Sequence, residues 1–360
     1  MASETLLADP ATRLDDLLTE ALATPGLAGV LAADPGRGAR LVTGARDVAA
    51  AAFVLEEPAA LDVAHRALYV LGAQQGWSPV GAQRDNEHDL TLAAVRLELE
   101  RAFEAQLARS ASLPEDLPTD PESFGPWLEH LALERPVPFE GPSMGEFYRE
   151  HATLEQLSEV VAQRSLFFLK EPDPWTMVIP SLHGRAKAGL IDLILDEYGW
   201  GRFDQMHSTV YEVLMGKLGL ETGYDHYFEQ TSWPVLAGLN YQAMLARHRR
   251  LCRRMYGYIY LVEADSPGSM KNYLAAYARA GIDDPEVLTF YELHIDADEG
   301  HSDVALNEVV MPVVREEPAA MAEVARGVLE GRWVHSLLSA HLHACFSAGR
   351  SSLRAGGTAR

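Results

Sequence analysis

Along this chain the apolar positions recur with the 3.6-residue period of helices, and signals for strands are nearly absent. Residues 1–60, rich in Ala and Leu and broken at Pro10, Pro25, Pro35 and Pro58, predict short helices. Stronger helices are expected at 59–75 and 86–109. The stretch 110–142 carries Pro114, Pro118, Pro121, Pro126, Pro136, Pro138 and Pro142, which predicts a connector around one short helix at 127–134. A domain boundary is expected within it. Beyond Met144 the helices lengthen: 146–170, stopped by Pro172 and Pro174, then 186–198, stopped by Gly199 and Gly201, then 204–218 and 235–263. A further helix runs from Phe290 through Val304, Leu306 and Val309, and 319–346 closes the pattern. The expected organisation is an N-terminal helical segment, 1–140, an all-α bundle over 141–350, and a frayed tail at 351–360.

Composition narrows the setting. Apolar residues make up 48% of the 360, enough for a sizeable core and too many for a disordered chain. With 30 basic and 52 acidic side chains the formal net charge is −22, so neither nucleic acid nor an anionic membrane is an expected partner. One basic run, Arg247-His248-Arg249-Arg250 with Arg253 and Arg254, is better explained by pairing with local acids. Two cysteines, Cys252 and Cys345, make no disulfide framework. The opening residues lack a basic region followed by an apolar stretch, and no run of about 18 apolar residues occurs. A soluble, cytoplasmic chain is expected.

The candidate chemistry begins in the helix from Phe290. At about 100° per residue, His294, Asp298 and His301 fall within roughly 60° of one another on one face. Two imidazoles and a carboxylate over two turns suit non-haem iron or zinc, although an acidic helix face is also a solvated surface pattern. Asp298 and His301 can reach one metal together, whereas His294, a turn earlier, more easily reaches a second. Glu263 closes the apolar, aromatic run that begins at Met255, where an unpartnered carboxylate is costly to bury. Read by itself it equally suits a helix end reaching solvent before Pro267. Glu197 ends another apolar run and His207 follows ten residues later. Ten residues of straight helix span about 15 Å, so Gly199-Trp200-Gly201 must bend the chain if the two share a metal.

In order and spacing, Glu197, His207, Glu263, His294, Asp298 and His301 resemble the ligands of the haem-oxygenase-like di-iron oxidases, and especially the N-oxygenating members of that family. The resemblance covers about residues 145–347. It implies a seven-helix, all-α bundle that binds no haem, with residues 1–140 as a helical extension used for homodimerisation. It also implies a further carboxylate from the first core helix, for which Glu171 is the candidate. On this reading Glu197, His207 and His294 hold one iron, and Glu263, Asp298 and His301 hold the other, with Glu263 or Glu171 placed to bridge. Tyr256 and Tyr260 are candidates to flank the ligands. The implied activity is O2-dependent oxidation of a small amine or guanidine nitrogen to hydroxylamine, nitroso or nitro, drawing on an external electron donor and so on a redox partner. Oxidative C–C or C–H cleavage of an amino acid or fatty acid is the alternative within the family. A non-catalytic helical interaction protein is the alternative outside it.

Overall fold

The computed structural model describes residues 13–73, 76, 81, 83–134 and 140–354, apart from the side chains of Asp296, Asp298 and Glu299. No strand occurs among them. The chain divides into two compact units, Met1–Ser110 and Ala111–Arg360.

The first unit is built from α1 (Leu14–Ala23), α2 (Leu27–Ala33), α3 (Pro35–Phe53), α4 (Pro58–Gly72) and α5 (Leu90–Ser110). Pro35 and Pro58 both open helices, where a missing N–H costs nothing. The helix expected at 86–109 starts later because the Asp89 carboxylate accepts from the N–H groups of Thr91 and Leu92, at 2.9 and 3.1 Å. A 3-10 turn, Arg84–His88, precedes it and buries Asn86, whose amide donates to the carbonyls of Ala21, Leu22 and Thr24. Phe53, His65 and Phe103 pack as a ring cluster with centroids 5.0 to 5.4 Å apart.

The second unit begins with α6 (Pro121–Leu133), α7 (Met144–Glu150) and α8 (Leu154–Phe168). The single helix expected at 146–170 is split because Thr153 and Gln156 form a capping box that starts α8 afresh. After α8 come α9 (Gly184–Glu197), α10 (His207–Lys217) and α11 (Trp233–Arg247). The helix expected at 235–263 also breaks, at His248, where the backbone turns extended. It resumes as α12 (Cys252–Arg279), which runs on through Pro267 instead of ending at Glu263. Pro267 has no N–H to offer the carbonyl four residues back, which is that of Glu263. α13 (Pro285–Asp303) follows and passes directly into a π-helical segment, Val304–Val310, a form concentrated at functional sites. α14 (Met311–Glu316) and α15 (Ala320–Phe346) complete the unit. Residues 351–354, within the tail expected to fray, are anchored: the N–H and hydroxyl of buried Ser352 donate to Glu159, and Gln163 donates to that hydroxyl. Residues 355–360 lie outside the described set.

Helix α12 is the central strut, packed against both α13 and α15. Its crossing with α15 is close enough that a Cβ added at Gly257 would lie 2.0 Å from the carbonyl oxygen of Val324. The basic run supplies part of this contact. Arg253 pairs with Glu317, and Arg254 with Glu323 (2.6 Å) and Glu330 (3.2 Å). Glu330 is fully buried and also accepts from the hydroxyl of Tyr241, at 3.1 Å.

Burial pushes the Glu330 carboxyl from 4.5 up to about 7, against the opposing pull of Arg254. Its proton is therefore held more tightly in the folded state. The resulting stability is complete below pH 4.5 and is lost as pH rises through about 7. The loss amounts to at most about 3 kcal/mol. Urea unfolding at pH 5 and pH 7.5 is expected to show this fall in the native protein and a flatter response in Glu330→Gln; equal slopes contradict it.

Candidate metal centre

Four helices and one turn of the second unit bring the candidate ligands together. Glu197 is the last residue of α9 and His207 the first of α10. Between them Gly199, Trp200 and Gly201 all take left-handed backbone angles, with φ of 56°, 53° and 75°. Left-handed geometry costs a residue such as Trp about 1–2 kcal/mol. A Cβ at Gly199 would lie 2.4 Å from the backbone of Gln205, so the reversal is too tight for a larger residue. The bend required by the sequence is present, and His207 Nδ1 lies 2.7 Å from Glu197 Oε2.

Helix α13 delivers two imidazoles with opposite edges inward. His294 Nδ1 donates to the carbonyl of Phe290 at 2.8 Å, which leaves Nε2 facing the site, 3.6 Å from Glu171 Oε2. The His207 and His294 rings stand 4.5 Å apart. Two turns later, His301 Nε2 lies 3.0 Å from Asp196 Oδ2, and its Nδ1 points inward, 3.4 Å from Glu263 Oε2 and 4.0 Å from Glu197 Oε1. Behind them Phe168, Tyr211 and Phe290 pack at 4.7 to 4.9 Å and wall the site with aromatic core. Asp298 lies on α13 between the two histidines; its side chain is outside the described residues.

Among the described residues two groups emerge in which one ligand atom from each residue lies within 4.8 Å of the others: Glu197, His207 and His294, and Glu197, Glu263 and His301. The carboxylate common to both is Glu197, whereas the resemblance implies Glu263 or Glu171 as the bridge. Glu171 sits in the turn after α8, beside the first group. The acids Glu171, Glu197 and Glu263 are 2–4% exposed. Three carboxylates gathered so deeply repel one another unless a cation joins them. Glu171 Oε2 and His294 Nε2 are buried and make no hydrogen bond among the described residues, the mark of atoms awaiting another ligand. Burial would lower the His294 pKa, but the Glu171 carboxylate more than offsets it and leaves it raised. Carboxylates with imidazoles are the donor set of iron, so the residues fit that metal.

Sequence reasoning missed Asp196, which belongs to the apolar run ending at Glu197. It accepts from the indole N–H of Trp200 at 3.0 Å with one oxygen and meets His301 with the other. Tyr256 pairs its hydroxyl with that of Ser181 at 2.6 Å.

Fold and site agree with a haem-oxygenase-like oxidoreductase: residues 158–334, which enclose every candidate ligand, match the family of iron-containing redox enzymes. Among proteins of known activity, the chain is 26% identical over 196 residues to nitrosourea synthase of Streptomyces achromogenes subsp. streptozoticus. The match takes in 54% of this chain and 41% of that relative's length.

Removing a ligand and removing its support should separate. His301→Ala is expected to leave about one iron per chain or less, since metal ligands rarely have substitutes, while Asp196→Ala should still load but hold iron 10- to 100-fold more weakly. Iron content after anaerobic loading and graded chelation checks both; wild-type retention in either variant removes that residue from its role.

Proposed function

We propose that this chain is an O2-dependent di-iron N-oxygenase acting on a small molecule through an amine or guanidine nitrogen. The observation that carries the reading is the pair of buried histidine–carboxylate groups sharing Glu197. Glu197, His207 and His294 would hold one iron, and Glu197, Glu263 and His301, joined by Asp298, the other. Such a pair, once bound, supplies two-electron activation of dioxygen at neighbouring open positions.

The protein's own part is to hold, orient and exclude. Phe290 and Asp196 fix the ring orientations of His294 and His301, so the inward nitrogens are set before metal arrives. The aromatic wall keeps water from the first group. A cavity of about 420 Å3 includes Glu171 in its lining, which brings a bound molecule to the edge of the centre. The balanced first step is amine plus O2, two electrons and two protons giving hydroxylamine and water, with the electrons drawn from an external donor. The N-oxygenating character rests on the distant likeness to nitrosourea synthase and on Glu171, an additional carboxylate beside the first group.

Anaerobic loading with ferrous iron, then admission of oxygen and a chemical reductant to a panel of amines and guanidines, tests the reading. The expected result is an N–O product carrying label from 18O2. Label appearing only in products of C–C or C–H cleavage contradicts N-oxygenation.

A further inference from the structure

The cavity that reaches Glu171 contains a guanidinium that no acid among the described residues neutralises. Three arginines line the space. Arg149 donates to Asn272, and Arg332 reaches the carbonyl of Leu131 at 2.7 Å and the Glu134 carboxylate at 3.3 Å. Arg164, on α8, makes neither a hydrogen bond nor an ion pair among the described residues, and its Nε is buried without an acceptor. Its guanidinium lies over the ring of Phe168, 4.5 Å from the centroid, and 5.5 Å from that of Phe167. Stacking of this kind steadies the cation and fixes its plane but satisfies none of its five donors.

We propose that Arg164 is the anchor for a carboxylate carried by the substrate, which makes the substrate an amino acid or guanidino acid and not a simple amine. This deepens the N-oxygenase reading and rests on it for the position of the reacting nitrogen. A planar fork of N–H donors matches a carboxylate in two parallel bonds. Desolvation in a part-buried cavity strengthens that pairing relative to water. The other charged groups agree. Glu171 lines the same space and suits the cationic end of the molecule. With Arg149 and Arg332 already engaged, the Arg164 guanidinium and the Glu171 carboxylate fit a zwitterion, whereas a phosphate would bring two negative charges against that carboxylate. A zwitterion is also neutral overall, so a chain of net charge −22 does not repel it.

Calorimetric titration of the full-length protein, loaded with ferrous iron and kept anaerobic, tests the anchor without turnover. Two matched pairs serve as probes: 5-aminopentanoate with pentylamine, and 4-guanidinobutanoate with butylguanidine. Each acid is expected to bind at least about tenfold more tightly than its partner. Arg164→Met should abolish the preference with iron content unchanged, and Arg164→Lys should restore part of it. Acids that bind no better than their partners in the native protein overturn the anchor, as does a preference that survives in Arg164→Met. The native comparison decides even if a variant folds poorly. Admission of oxygen then separates the two ideas. Acid preference with no N–O product leaves the anchor standing and removes N-oxygenation; equal binding with N–O product does the reverse.

Discussion

The second unit depends on a concentration of buried charge. Glu171, Glu197 and Glu263 meet three imidazoles in an aromatic interior, where ionised carboxylates are expensive unless a cation joins them. Helical packing alone would favour apolar residues at these positions. The surrounding structure bears the marks of holding them: left-handed backbone through Gly199, Trp200 and Gly201, a proline inside α12 four residues past Glu263, and a π-helical segment directly after His301. Departures from regular geometry of this kind cost stability and persist where the surrounding fold imposes them.

Much of this was legible in the sequence, because helical period and ligand spacing are local properties. His294 and His301 share a face since seven residues make about two turns, and that relation survives any tertiary arrangement. The reversal between Glu197 and His207 was readable as well: two glycines in three residues permit left-handed angles. The breaks at Thr153 and His248 were harder, since a capping box or an extended residue wins over continuous periodicity only through a few local hydrogen bonds. Pro267 misled in the other direction, because tertiary packing carries α12 through a residue that normally ends a helix. Asp196 and Arg164 were out of reach. Each matters through what it meets across the fold, or fails to meet, and no local pattern encodes that.

Metal and cavity divide the labour between neighbouring elements. α9, α10, α12 and α13 present the ligands, whereas α8 and the turn after it supply Arg164 and Glu171, which face the cavity. Glu171 belongs to both, 3.6 Å from His294 and part of the cavity wall. A molecule held at Arg164 would therefore be positioned by the same stretch of chain that touches the centre. On the far side of the ligands, Trp200 is 57% exposed and leads through Asp196 to His301. Supports of this kind tune a metal without contacting it.

The central claim is that Glu197 serves two adjacent metals. Anomalous diffraction at the iron edge, from crystals loaded anaerobically with ferrous iron, tests it most directly. Two iron peaks per chain about 3.5–4 Å apart, as in two-metal oxygen sites, are expected, with the Glu197 carboxylate between them. A single peak, or two peaks with Glu197 bound to neither, would contradict it.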